Sequence, residues 1–392
     1  MVGGAVRDEL LGMPHKDQDF VVPGVGYAEL RSALARHGKV EDLEVAGNRV
    51  GLRLYPRDSM LRALAPAGIE FAPPRMERST GPGRHDFDIV ASADVTLEQD
   101  MARRDFTINA IAKRLATGEL LDPFRGREDL EQRVLRTVSP QSFREDPLRL
   151  LRGLRFVSQL GVEPDEATLR QMREEAAAIG LVSGERIGGG LASDGMGELS
   201  KLLLGAHPAR ALQLMRETGV LEHLLPVEAG SFDAVQSAAE LGAPLHVRLA
   251  ALLEDAGPEA AGGLLCRLRY PTRLRRRVLA LVGSRDLDLP EPDPVETRRF
   301  LARYGDRLAH DLVALREAQG EDVSRARAAL ESERRKPHRI SDLAVHGGDL
   351  LELGFPQGPE IGRALDQLLA RVVDEPELNT RERLLELAEE LR

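Results

Sequence analysis

The sequence predicts an α+β chain, with a small head of mixed β-sheet and helices followed by an extended all-α remainder. Three observations predict it. Over the first 125 or so residues, short strand-length apolar runs ended by Pro or Gly alternate with amphipathic stretches. After about residue 130 nearly every segment carries the helical apolar period, and strand signals almost vanish. The 392 residues exceed one ordinary core, so this change of texture marks a domain boundary.

The elements follow in order. "GGAVRDELLG" starts a helix on a glycine pair. "KDQDFVVPG" reads as a strand, and "YAELRSALARHG" as a helix with a glycine stop. "NRVGLRLYP" and "GIEFAPP" are of strand length. "RMERSTGPGRHDFDI" is rich in Gly, Pro and charge and reads as a mobile loop. "RRDFTINAIAKRL" and "GELLDPFRGREDLEQRVL" read as a helix, a turn and another helix. Beyond them "DPLRLLRGLRFVSQLG", "ARALQLMRETGVLEHLL", "LHVRLAALLEDAG" and "EIGRALDQLLARVVDE" are helical. "IGGGLASDGMG" at 187–197 reads as a flexible interruption and "DLDLPEPDPVE" as an acidic connector. No repeat of fixed period is present.

Composition narrows the function. Hydrophobic residues are 42% and charged residues 30%, as in a soluble globular protein. No apolar run reaches membrane-span length and no signal peptide precedes the first motif, so a cytoplasmic location is expected. The single Cys266 has no internal disulfide partner and is expected to be buried; no Cys/His cluster has zinc spacing. A net charge of −10 argues against a general polyanion binder, so nucleic acid would meet local basic patches. With no Trp and 4% aromatics, reading bases by stacking on many aromatic platforms is disfavoured.

Two acidic positions point to metal chemistry. Asp17 and Asp19, two apart on a strand, project to one face. Paired carboxylates repel unless a cation lies between them, and an all-oxygen pair suits Mg2+. The alternative is a solvated strand end. Gly3 and Gly4 let backbone N–H groups approach a phosphate at a helix start, and Arg7 reaches the same anion; close packing is the other use of such glycines. Glu70 stands on a later strand, either as the third acid of the site or as an exposed strand residue. A nucleoside triphosphate needs both a phosphate cradle and a metal pair.

"SFREDPLRLLRGLRF" carries the next signal. Asp146 and Arg149 are i and i+3 and are expected to share a helical face, continued by Arg152 and Arg155. Leu148, Leu150, Leu151 and Leu154 supply the buried side. The alternative is a solvated basic stripe. A carboxylate accepts and a guanidinium donates, which matches the amino donor and ring acceptor of cytosine or adenine. Uracil and guanine reverse the order and would leave buried groups unpaired, at about 1–3 kcal/mol each. Arg152 and Arg155 would hold phosphates.

Together "GGAVRDELLG", "KDQDF", "MARRDFTINAIA", "LLDPFRGREDL" and "FREDPLRLLRGLRF" resemble the class II tRNA nucleotidyltransferases (CCA-adding enzymes) and the related bacterial poly(A) polymerases. The likeness is specific over residues 2–160 and weaker in "SGERI", "ELSKLLLGAHPARALQLMRETGVLEHLLP" and "VHGGDLLELGFPQGPEIGRALDQLL". The resemblance implies a catalytic nucleotidyltransferase head at 1–125, a base-recognising neck at 126–204, a body at 205–335 and a tRNA-binding tail at 336–392. It implies addition of CMP and AMP from CTP and ATP to the tRNA 3′ end. Asp17 and Asp19 would bind Mg2+, with Glu70 as third acid. Gly3, Gly4 and Arg7 would meet the triphosphate, with Arg104 on the nucleotide and Asn109 near the ribose. Asp105 and Thr107 read equally as local caps. Asp146 and Arg149 would pair with the base, and Arg152 and Arg155 would contact the incoming nucleotide.

The chain also departs from the family pattern. "GGGLASDGMG" separates Ile187 from Glu198, and Glu254–Asp255 stand where a phosphohydrolase module would need His–Asp, so no such second activity is expected. Residues 74–99, starting with Arg75 and Glu77, match the flexible loop that the family associates with A addition, which favours CCA or A addition over CC alone. A tRNA track is expected at Arg273, Arg275, Arg276 and Arg277, with "RRKPHR" at 334–339 adding a second basic group. No membrane and no obligatory protein partner is implied. The competing readings are a poly(A) polymerase and a non-catalytic RNA-binding protein.

Overall fold

The computed structural model describes residues 1–14, 19–45, 48–79, 87–91, 94–189 and 195–392. Asp17 lies outside the described residues, as do the centres of the segments expected to be a mobile loop and a flexible interruption. The chain forms two compact units, Met1–Pro226 and Val227–Arg392.

The first unit opens with α1 (Gly4–Leu10), β1 (Asp19–Val21), α2 (Tyr27–Ala35), β2 (Gly38–Val45), β3 (Asn48–Pro56), α3 (Ser59–Leu64) and β4 (Ile69–Ala72). The sheet order is β1-β4-β3-β2. β1 and β4 are parallel, while β3 is antiparallel to both β4 and β2. Side chains alternate along β3. Leu52 and Leu54 are buried against Leu30 and Leu34 of α2. Burying one such leucine stabilises by about 1.5–3 kcal/mol. Arg53, between them, therefore projects from the opposite face.

Two local expectations are corrected. "RMERSTGPGRHDFDI" contains a hairpin, β5 (Arg75–Ser79) against β6 (Phe87–Ala91), whose strands flank the Gly/Pro-rich stretch. "RRDFTINAIAKRL" is not a helix. After α4 (Leu97–Ala102) it makes a single 3-10 turn at Thr107–Asn109, then β7 (Ala112–Lys113), which pairs with β8 (Leu120–Leu121). Phe106, Ile108, Ala110, Ile111 and Ala112 are all buried, so this run has no solvent face to give it a helical period. α4 itself starts on a capping box, in which Thr96 Oγ1 accepts from Gln99 N and Gln99 Oε1 from Thr96 N.

The helical part of this unit comprises α5 (Gly126–Glu131), α6 (Ser142–Glu145), α7 (Leu148–Leu160), α8 (Glu166–Glu175), a π-helical turn at Glu185–Gly189, α9 (Glu198–Leu203), α10 (Pro208–Glu217) and α11 (Val220–Leu224). A short parallel pair, β9 (Val134–Leu135) and β10 (Glu163–Pro164), interrupts it. α7 forms because Leu150, Leu151, Leu154 and Val157 give it a fully buried stripe. Gly161, left-handed at φ 63°, ends it. A Cβ on Gly153 would lie 2.8 Å from the Phe106 ring, so the bare backbone lets α7 close on the motif that precedes it.

The second unit is helical, with α12 (Phe232–Glu240), α13 (Leu245–Leu253), α14 (Gly257–Arg267), α15 (Thr272–Val282), α16 (Pro294–Ala318), α17 (Ser324–Glu333), α18 (Gly347–Glu352), α19 (Pro359–Asp374) and α20 (Arg381–Glu390). Leu350, Leu365, Leu368, Val372, Leu384 and Leu387 bind the last three together. Cys266, expected to be buried, is exposed near the end of α14. Its neighbours Leu264 and Leu265 face the core instead. No described helix is long and apolar enough to cross a membrane.

Candidate active site

Sheet register builds one side of the site. Asp19 pairs with Glu70 across β1 and β4, and Glu70 pairs with Arg53 across β4 and β3. Directly paired residues share a sheet face, so the three stand in a row on the face away from α2. Arg53 Nη2 donates to Glu70 Oε1 at 2.5 Å. A cleft of about 470 Å3 is lined by Asp19 and Glu70 on this side and by Arg104, Asp146, Arg149 and Arg152 on the other. Neighbouring carboxylates offer the all-oxygen donors that a hard divalent ion takes, which is the fit asked of Asp19 and Glu70. Among the described residues no group of three metal-capable side chains forms.

Each glycine of the pair faces a different arginine, Gly3 meeting Arg104 and Gly4 lying beside Arg7. Gly3 has φ +71°, and a Cβ there would lie 2.5 Å from Arg104 Nη1. The Gly3 N–H is already spent on Ile111 O at 3.2 Å, whereas Gly4 begins α1. Arg104 also donates to Asp100 Oδ2 and to Asn109 O, both at 3.3 Å. Burial pushes the Arg104 guanidinium below its usual range against the pull of Asp100.

Behind these residues runs a continuous polar network. Arg7 Nη1 donates to Asn109 Oδ1 at 2.7 Å, Asn109 Nδ2 to Asp105 Oδ1 at 2.9 Å, and Arg152 Nε to Asp105 Oδ2 at 2.9 Å. Burial alone would raise the Asp105 carboxyl. Arg152 beside it, with the Asn109 bond, holds it well below the usual carboxylate range. Arg155 lies 3.1 Å from Glu198, and burial with Arg152 and Arg7 nearby pushes its guanidinium down to about 10 despite that carboxylate. Arg7 and Arg155 both lie over the Phe156 ring, 5.0 and 4.5 Å from its centroid, and neither lines the cleft.

Asp146 and Arg149 reach the cleft, but not along one helical face. Asp146 is extended, at φ −143° and ψ 102°, because Pro147 follows it, and α7 begins only at Leu148. Arg149 is buried. Its Nη1 is shared among Ser142 O, Ser142 Oγ and Glu145 Oε2, and its Nη2 donates to Arg103 O at 2.8 Å. One Nη2–H remains. Asp146 Oδ1 accepts from Leu148 N at 3.1 Å and from Arg186 Nη1 at 3.3 Å, while Oδ2 accepts from Arg186 Nη2 at 2.9 Å. One Oδ2 lone pair remains.

Sequence reasoning missed three participants. Arg186 sits in "SGERI", where nothing local marks a role for it, and its pairing spans forty residues. Asp105, which reads equally as a local cap, accepts from the Phe106 N–H at 2.9 Å and also joins Asn109 to Arg152. Phe156 hid among the apolar positions of α7. Thr107 Oγ1 donates to the buried Asp129 at 2.7 Å.

In the second unit Arg273 and Arg276 are exposed on α15. Arg275 donates to Thr272 Oγ1 at 3.1 Å, and Arg277 is held by Asp311 at 2.8 Å. Arg277 shares a cavity of about 390 Å3 with Arg334 and Arg339 of the "RRKPHR" segment.

Comparison with known proteins places these features. Residues 1–136 match the model of the Poly A polymerase head domain, 161–229 the probable RNA and SrmB-binding site of polymerase A, and 247–388 the putative tRNA nucleotidyltransferase domain 2. A multifunctional CCA protein of Xanthomonas campestris pv. campestris is 32% identical over 414 residues, covering 94% of this chain and 90% of that protein. A multifunctional CCA protein of Neisseria gonorrhoeae is 39% identical over 279 residues, 66% of this chain; the match spans 61% of that relative's length. The structure of the Bacillus stearothermophilus CCA-adding enzyme in complex with CTP is similar at TM-score 0.70 and 28% identity, covering 100% of this chain and 92% of that one.

Proposed function

The chain belongs to the class II CCA-adding enzyme family, and on that footing we propose that it is a template-independent tRNA nucleotidyltransferase adding CMP and AMP from CTP and ATP to the tRNA 3′ end. One observation carries the reading: Asp146 and Arg149 line the same cleft as Asp19 and Glu70. The free Oδ2 lone pair of Asp146 accepts the exocyclic amino group of cytosine or adenine. The free Nη2–H of Arg149 donates to the ring nitrogen beside it. UTP or GTP would set a carbonyl against the carboxylate and an N–H against the guanidinium, at about 1–3 kcal/mol for each unpaired buried group.

Asp17 and Asp19 hold Mg2+ in this proposal, with Glu70 as the third acid. When bound, the ion supplies charge neutralisation on the triphosphate and a more acidic attacking hydroxyl. Arg104 and Arg152 orient the nucleotide in the cleft, with Gly3 and Asn109 shaping the place Arg104 occupies and Gly4 leaving room beside Arg7. Arg7 and Arg155 contribute positive charge at Phe156. The head (1–125) carries the chemistry, the neck (126–204) reads the base, and the body (205–335) and tail (336–392) hold tRNA through Arg273, Arg275, Arg276 and Arg277. The hairpin region within 74–99 supports complete CCA or A addition over CC alone.

The test offers tRNAs ending before C, after C and after CC, each with labelled CTP or ATP. Ordered CCA addition, or A addition after CC, is expected. Long A tails would favour the poly(A) polymerase reading, and inactivity would leave an RNA-binding protein. Asp17→Ala and Asp19→Ala are expected to abolish incorporation while sparing tRNA binding, and retained incorporation refutes the metal assignment.

A further inference from the structure

The base-reading acid is held by another side chain, which the reading above leaves without a task. Asp146 has no helical backbone to fix it, since Pro147 keeps it extended ahead of α7. Its terminal torsion is intrinsically soft, because rotation of a carboxylate about an sp³–sp² bond is broad. A single backbone N–H, from Leu148 to Oδ1 at 3.1 Å, would leave the carboxylate free to swing about that bond. Arg186 removes the freedom. Its Nη1 and Nη2 grip Oδ1 and Oδ2 at 3.3 and 2.9 Å in the two-pronged arrangement of an arginine–carboxylate pair. Both side chains are partly shielded, 19% and 31% exposed, and both line the cleft.

We infer that Arg186 is a positioning residue for base selection. It fixes the plane of the Asp146 carboxylate and, together with the Leu148 N–H, saturates every acceptor site but one Oδ2 lone pair. That remaining lone pair and the remaining Nη2–H of Arg149 then form a rigid acceptor–donor couple. A rigid couple rejects a base with the reversed order, whereas a carboxylate able to rotate or to shed its partner would adapt to it. This inference rests on the nucleotidyltransferase reading and deepens it. It names Arg186, from a distant turn, as the source of selectivity in a pair that does not touch it in sequence.

The test compares wild type, Arg186→Gln, Arg186→Lys and Asp146→Ala in single-nucleotide incorporation of CTP, UTP, ATP and GTP on full-length protein, with KM and kcat separated. Glutamine is expected to lower the CTP-over-UTP and ATP-over-GTP ratios of kcat/KM by about tenfold or more, the size of one charge-assisted hydrogen bond. The change should come through KM for the correct nucleotides, with kcat for misincorporated UTP retained. Lysine keeps the charge but not the fork and is expected to fall between. An unchanged ratio in Arg186→Gln, beside a lost ratio in Asp146→Ala, overturns the role of Arg186 and leaves the proposed function standing. Equal loss with all four nucleotides also overturns it, as a structural effect. Full rescue by lysine refutes the fork. Wild-type protein that takes UTP as readily as CTP refutes the base-reading pair, and this inference with it. Calorimetric binding of CTP and UTP without metal reads the same selectivity independently of turnover.

Discussion

Asp105→Ala tests whether the polar network behind the cleft holds the first unit together. The substitution strips three donors of their acceptor, namely Phe106 N, Asn109 Nδ2 and Arg152 Nε, each at 2.9 Å. Breaking a buried ion pair costs about 3–5 kcal/mol. Arg152 is 34% exposed and also lies 3.6 Å from Glu198, so the low end, about 3 kcal/mol, applies. For a unit the size of Met1–Pro226 each kcal/mol moves Tm by about 2–4 °C, so its transition should fall by about 6–12 °C. Differential scanning calorimetry of the full chain resolves it; a drop below about 2 °C refutes the reasoning. Asp105→Asn adds a pH control. Burial works against ionisation of Asp105, yet Arg152 and Asn109 win and keep its carboxyl low. A lowered native value means the stabilisation is complete above the unfolded carboxyl value of about 3.9 and is lost as pH falls through the native one. The stability gap between wild type and Asp105→Asn should therefore be flat from about pH 5 to 8 and shrink below about pH 4. A gap that widens in acid contradicts the assignment.

Three further outcomes follow from single contacts. Gly3→Ala forces an alanine into positive-φ backbone at φ 71° and ψ −136°, at about 1–3 kcal/mol, and drives its Cβ into Arg104; a lower Tm and a raised KM for CTP are expected, and unchanged KM would show that Arg104 does not meet the nucleotide. Arg53→Met removes a cation that competes for Glu70. Their pair is partly exposed and worth about 0.2–1 kcal/mol, so the Mg2+ concentration for half-maximal incorporation should fall by up to about fivefold; no fall would mean Glu70 does not take part. Arg273→Glu with Arg276→Glu, both exposed, should raise KM for tRNA and flatten its salt dependence by about one phosphate contact per arginine while leaving KM for CTP alone.

What the sequence made legible was whatever rests on local periodicity. The leucine stripe of α7, the alternation of Leu52, Arg53 and Leu54, and the α+β character of the head all follow from spacing alone. The failures share a physical cause, which is that context overrode local pattern. The β5–β6 hairpin was hidden because Gly and Pro dominate the stretch that joins its strands. The "RRDFTINAIAKRL" run looks helical because its apolar residues are dense, yet all of them except the terminal Leu115 are buried, so no polar face alternates with them. Counting residues puts Asp146 and Arg149 on one helical face, although Pro147 denies Asp146 a helical backbone. The site residues themselves carried readable chemistry. Their partners Arg186 and Glu198 did not, since pairing across forty or more residues leaves no local trace.

The most direct test of the central claim is a crystal structure of this chain with CTP and Mg2+. The cytosine amino group should lie within hydrogen-bonding distance of Asp146 Oδ2, with its ring nitrogen facing Arg149 Nη2 and its phosphates toward Asp19. A cytosine bound away from Asp146 and Arg149, with the triphosphate still at Asp19, would contradict it.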